Sequence, residues 1–136
     1  MPVRYLLDTN ICIYITKHNP PAVRERFERH TTDELAMSAI TLGELRHGAE
    51  KSQSPKKASA AIERLTNAIQ VMPIDDAVAQ QYGRIRAKLE QAGQTIGNND
   101  LWIAAHAKAE GWVLVTNNVR EFKRVAGLKI ENWAKS

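Results

Sequence analysis

Short apolar segments and longer helical ones alternate along the chain, and that alternation leaves few architectures open. Arg4-Tyr5-Leu6-Leu7, Leu35-Ala36-Met37-Ser38, Val71-Met72-Pro73-Ile74 and Val113-Leu114-Val115 are long enough for strands and too short for helices. Lys129-Ile130 is a candidate fifth strand. Between them the spacing predicts a helix over 11–17 with Asn10 as its N-cap, and a second from Pro21 to about Arg29, with proline in the first turn. A third spans 41–51, with Leu42, Leu45 and Ala49 as its core-facing stripe. After a polar break over 52–57, a helix runs over 58–69 with Ile62, Leu65 and Ile69 on one face. Asp75 is expected to cap a long helix over 77–92 that Gly93 stops, and an alanine-rich helix over 101–110 ends at Gly111. A short helical turn follows over 118–125. Strand–helix alternation of this kind predicts an α/β fold, a central parallel sheet between two helical layers. In such sheets ligands bind beyond the carboxyl ends of the strands, where the strand order reverses.

The chain has 136 residues, so one domain over 1–136 is expected. No apolar run approaches the ~20 residues of a membrane span, and Met1 to Asp8 lacks the apolar core of a signal peptide. A single cysteine, Cys12, excludes an internal disulfide and a thiolate zinc site, and is expected to be a small buried hydrophobe. The expected compartment is the reducing cytoplasm. The net charge of +4 divides as +2 on each side of Ala68, without a basic tail. A basic surface for nucleic acid has to be assembled by folding.

Four acids share one topological address. Asp8 closes the first strand. Glu44 lies in the helix after the second, away from the Leu42–Leu45 stripe and beside Thr41. Asp100 stands at the mouth of the apolar helix beginning Leu101-Trp102-Ile103. Glu121 follows the fourth strand and the turn Thr116-Asn117-Asn118. Each taken alone has an ordinary reading as a cap, a solvated helix face or a surface ion pair. Gathered at one sheet edge they repel, at ~5 Å and an effective dielectric of ~20 by roughly 3 kcal/mol per pair. Such a cluster calls for a cation, and oxygen donors without cysteine or a His-rich motif select Mg²⁺ or Mn²⁺ over zinc. A cation held this way activates water against a phosphodiester without a histidine base.

At these residues a resemblance emerges. Leu6-Leu7-Asp8-Thr9-Asn10-Ile11 and Ser38-Ala39-Ile40-Thr41-Leu42-Gly43-Glu44-Leu45 look like the opening of PIN-domain nucleases. Ile96-Gly97-Asn98-Asn99-Asp100-Leu101-Trp102-Ile103-Ala104-Ala105-His106-Ala107 and Leu114-Val115-Thr116-Asn117-Asn118-Val119-Arg120-Glu121-Phe122 extend the likeness over nearly the whole chain, toward the VapC toxin ribonucleases of bacterial VapBC toxin–antitoxin modules. The resemblance implies a Mg²⁺-dependent endoribonuclease with Asp8, Glu44 and Asp100 as acidic triad and metal ligands. It implies a VapB-like antitoxin, a homodimer, and operator DNA bound only through the toxin–antitoxin complex. The members nearest this pattern imply initiator tRNA, cut in its anticodon stem-loop, as substrate. Many PIN domains carry Asp where this chain has Asn118. Glu121, one helical turn on, is therefore expected to supply the fourth negative charge, with Asn118 orienting the turn through Thr116.

Asn10, Thr41, Thr116 and Asn118 are the supporting polar residues, and Arg46, Arg120, Lys123 and Arg124 are candidates for holding phosphates. His47 and His106 are read as surface and structural residues, and Trp102 and Trp112 as packing at least as readily as base stacking. A haloacid-dehalogenase-type phosphatase needs a second Asp where Asn10 stands, and nucleotide-binding glycine motifs are absent. The rival from another class is a non-catalytic scaffold of the same fold that serves only antitoxin or operator binding. The presence of both Asp8 and Asp100 weighs against it.

Overall fold

A computed structural model describes residues 4–135. Its five strands are β1 (Tyr5–Leu7), β2 (Leu35–Ser38), β3 (Gln70–Met72), β4 (Val113–Val115) and β5 (Ile130–Glu131), in the spatial order β3-β2-β1-β4-β5. All the pairings are parallel. The helices are α1 (Thr9–Lys17), α2 (Pro21–Glu28), α3 (Ala39–Glu50), α4 (Pro55–Ala68), α5 (Asp76–Gln91), α6 (Asn98–Glu110) and α7 (Val119–Phe122), with one 3-10 turn at Thr32–Glu34. This is the α/β architecture with a central parallel sheet that the alternation predicts.

The pleat explains why the strands read as continuous apolar runs. Leu6, Ala36 and Leu114 face a core completed by Val78, Ile103 and Phe122, whereas Leu7, Met37 and Val115 face one completed by Ile11, Ile62 and Trp133. Adjacent residues thus serve opposite cores, as a sheet covered on both faces requires. Burying a Leu, Ile or Val side chain of this kind contributes about 1.5–3 kcal/mol. Helix α6 is buried on most of its circumference, Leu101 and Ile103 to Ala107 included, and its alanines let it lie close between sheet and α5. Gly111 ends it in the left-handed region at φ 71°.

Several boundaries differ from the expectation. Asn10 is not the cap of α1: Asp8 is, its Oδ1 accepting from the Ile11 amide at 3.0 Å, so the helix starts directly off the strand. Helix α4 begins at Pro55, inside the expected polar break, because Pro55-Lys56-Lys57 form an exposed first turn with proline at the position that suits it. Helix α6 begins at Asn98, so Asp100 sits within its first turn. On α3 the buried stripe is Thr41, Leu45 and Ala49, with Leu42 only half-buried. Asp75 does cap α5, accepting from the Val78 amide at 3.0 Å. Among the described residues no helix is long and apolar enough to cross a membrane.

Candidate active site

The strand order decides where the acids meet. β1 lies at the centre, with β2 on one side and β4 on the other, and the register pairs Leu7 with Val115. The chain leaving β1 therefore emerges beside the chain leaving β4, and the Asp8 amide donates to the Val115 carbonyl at 3.0 Å. Helix α3 returns from the end of β2, and the first turn of α6 opens toward the same edge. Asp8, Glu44 and Asp100 consequently line one small polar pocket of 130 Å³, together with Thr9, Asn10, Asn118 and Phe122.

Each carboxylate is held differently. Asp8 is 5% exposed, and besides capping α1 it accepts from the Thr116 hydroxyl. Its carboxyl is nevertheless pushed up to about 6, first by burial and further by the charge of Glu44, against the lowering effect of its hydrogen bonds. Asp100 is also raised to about 6, by burial first and then by the charges of Glu121, Glu44 and Asp8. A position in the first turn of a helix favours the ionised form by about 0.3–2 kcal/mol. Here burial and three neighbouring acids outweigh it. Glu44 is turned aside, accepting from the Thr9 hydroxyl and from Asn99 Nδ2 at 3.4 Å.

Glu121 stands next to the pocket, within reach of Asp100, and its Oε2 accepts from Asn118 Nδ2 at 3.0 Å. The Asn118 amide in turn donates to Thr116 Oγ1 at 2.9 Å. Thr116 thus joins Asp8 to the turn that carries Asn118 and Glu121. Thr41 is fully buried one turn before Glu44, and its hydroxyl has no partner among the described residues. Asn10 is exposed at the rim, 3.5 Å from Asn117.

Sequence reasoning missed Thr9 and Asn99, which bind Glu44. The available signal was their position, each adjacent in sequence to a site acid. The basic candidates separate. Arg46 pairs with Glu63 at 3.2 Å on an exposed surface. Arg120 and Lys123 line a different cleft with Asn132 and Lys135, and Arg124 turns to the Thr95 carbonyl at 3.0 Å. His47 is exposed, whereas His106 and Cys12 are buried.

Among the described residues, no three His, Cys, Asp or Glu side chains converge tightly enough to be a ready-made metal cage. The backbone brings the carboxylates to one pocket, while the hydrogen bonds from Thr9 and Asn99 turn Glu44 aside. The donor set fits a hard divalent cation all the same. It consists of oxygens alone, and two of its carboxyls are driven toward protonation by the desolvation and repulsion that a cation offsets.

A parallel sheet with a carboxylate pocket at the end of its central strand is the arrangement of a PIN domain, and the family model described as "PIN domain" matches residues 5–128. The "tRNA(fMet)-specific endonuclease VapC" of Shigella flexneri is 46% identical over 132 residues, covering 97% of this chain and 99% of that protein. "Ribonuclease VapC2" of Haemophilus influenzae is 43% identical over 131 residues, covering 96% and 98%. Among solved structures, DNA-bound VapBC from Salmonella typhimurium superposes with a TM-score of 0.91 at 43% identity, over 96% of this chain and 98% of that one. The chain belongs to the PIN-domain family, in its VapC ribonuclease branch.

Proposed function

We propose that the chain is the toxin of a toxin–antitoxin pair, a Mg²⁺-dependent endoribonuclease that cuts initiator tRNA in its anticodon stem-loop, with Mn²⁺ as a substitute ion. The observation that carries the catalytic part is the pocket itself, in which Asp8, Glu44 and Asp100 meet and Asp8 and Asp100 are both raised to about 6. The substrate is supported by the names of the relatives from Shigella flexneri and Salmonella typhimurium, both tRNA(fMet)-specific endonucleases. The antitoxin partner and operator DNA are supported by the solved VapBC assemblies, two of which are DNA-bound. Cytoplasmic placement follows from the tRNA substrate.

In this reading Asp8, Glu44 and Asp100 hold the cation, and Glu121 adds the fourth negative charge, directly or through water. The bound cation supplies Lewis acidity, lowering the pKa of water and offsetting charge on the phosphodiester. Thr116 fixes the Asp8 carboxylate, and Asn118 fixes Glu121 beside Asp100. Thr9 and Asn99 orient Glu44 by donating to its two carboxylate oxygens, and Glu44 would be the third carboxylate to hold the cation. A basic side chain of the antitoxin entering the same pocket would replace the cation's charge and shut RNA out.

The test is cleavage of purified initiator tRNA against elongator tRNAs. Cutting is expected with Mg²⁺, is expected to stop with EDTA, and is expected to vanish in Asp100→Asn while the circular dichroism melt persists. Undiminished cleavage by Asp100→Asn overturns the site, and equal cutting of all tRNAs overturns the substrate.

A further inference from the structure

The strongest convergence of positive charge lies outside the acid pocket. Arg84 and Lys88 on α5, Lys108 near the end of α6 and Arg124 just beyond α7 line one cleft of 430 Å³ that has no carboxylate in its wall. Its floor is apolar, formed by Ile85, Leu89 and Val125. Four of the eight arginines outside the cleft, Arg24, Arg26, Arg46 and Arg86, each lie within 3.2 Å of a glutamate oxygen. Among the described residues none of the four cleft cations makes such an ion pair.

Two of the four are nevertheless fixed in place. Lys108 Nζ donates to the Ala126 carbonyl at 2.8 Å, and Arg124 to the Thr95 carbonyl at 3.0 Å. A carbonyl orients a cation without cancelling its charge. Arg84 and Lys88, one helical turn apart on α5, repel each other by a few tenths of a kcal/mol. Four oriented or exposed cations in a concave wall focus a positive potential that attracts an anion.

The position of the cleft identifies the anion. The Arg124 amide donates to the Glu121 carbonyl at 3.0 Å, and Thr95, which receives the Arg124 side chain, precedes the helix that carries Asp100. Lys108 lies eight residues after Asp100 on α6, roughly 12 Å along the axis at ~1.5 Å per residue. The cleft is thus tied through Arg124 and Lys108 to the segments that carry Glu121 and Asp100. The acids themselves repel a polyanion, so affinity for RNA has to come from beside them.

We propose that this cleft anchors the RNA backbone, Arg84, Lys88, Lys108 and Arg124 holding phosphates that flank the scissile one. The assignment rests on the ribonuclease reading. It separates binding from chemistry, with the acids setting turnover and the cleft setting affinity for substrates long enough to reach it.

The experiment compares wild type with the double variant Arg84→Gln, Lys88→Gln, both residues exposed on α5, and with Lys108→Gln. A control, Lys56→Gln with Lys57→Gln, removes equal charge from α4. Cleavage kinetics on initiator tRNA are measured alongside binding of the same tRNA by the Asp8→Asn protein in EDTA across a salt series. The double variant is expected to raise KM about 10-fold with kcat within about twofold, and to reduce the slope of log affinity against log salt by about 1.4–1.8, the loss of two phosphate contacts. Lys108→Gln is expected to move KM the same way, and the control to leave both quantities unchanged. Normal cleavage with unchanged KM and salt slope in the double variant, or an equal effect in the control, overturns the anchor alone. Binding that depends on the cleft without any cleavage by wild type upholds the anchor and removes the nuclease reading. Neither binding nor cleavage overturns both.

Discussion

Asp8 performs two tasks that conflict, and the conflict predicts a stabilising mutation at the centre of the site. As the N-cap of α1 it stabilises the fold, and either Asp or Asn can accept the Ile11 amide. As a carboxylate at 5% exposure it destabilises the metal-free fold, because its folded pKa of about 6 lies above the ordinary 3.8. A raised acid binds protons more tightly in the folded state, so stability falls as pH rises between these two values. The penalty is absent below the unfolded pKa and complete above the folded one. At about 1.4 kcal/mol per unit the shift corresponds to roughly 3 kcal/mol. The new amide also needs an acceptor, which reduces the gain to at most about 2 kcal/mol.

Asp8→Asn is therefore expected to melt higher than wild type in EDTA at about pH 8, by up to about 7 °C for a chain of this size. The gap should close as pH falls below the unfolded value of 3.8, where Asp8 is protonated in both states. Adding Mg²⁺ should reverse the order, raising the melting temperature of wild type and leaving the variant nearly unmoved. Differential scanning fluorimetry over a pH series reads all three effects. A variant that melts lower than wild type at the alkaline end, or a gap independent of pH, would falsify the reasoning, since capping would then dominate burial.

What the sequence makes legible follows from how local each feature is. Leu35 to Ser38 reads as a strand from its apolar run alone, and the structure places β2 on those four residues. The start of α4 is harder to read because Pro55, Lys56 and Lys57 are exposed, so hydrophobic periodicity has nothing to register there. On α3, Leu42 outranks Thr41 in any hydrophobic stripe, yet Thr41 is the buried one, because the helix is rotated to present Glu44 to the pocket. The acids were readable as residues sharing one sheet edge. The spread of their side chains was not, since Glu44 is drawn aside by Thr9 and Asn99, partners 35 and 55 residues away in sequence. The cationic cleft is less legible still. Arg84 and Lys88 meet Lys108 and Arg124 only because α5 packs on α6, and no spacing in the sequence announces that.

The remaining expectations concern one cap and the fourth acid. Asp75→Ala removes the acceptor for the Val78 amide at the head of α5 and is expected to cost about 1 kcal/mol, read as a lower denaturation midpoint with an unchanged slope. Asn118→Asp places a second carboxylate against Glu121 and is expected to tighten Mg²⁺ binding while lowering metal-free stability, measurable by titration and by melting in EDTA. Glu121→Gln tests whether the fourth charge matters. Glu121 adds to the repulsion on Asp100 from a position beside the pocket, held there by Asn118. A group acting at that remove typically changes metal affinity or activity by about 10–100-fold, less than the loss of a direct ligand. The variant is thus expected to raise the Mg²⁺ midpoint and slow cleavage within that range, while Asp100→Asn abolishes it. An unchanged rate and midpoint in Glu121→Gln would mean that three acids suffice and that Glu121 only braces the turn.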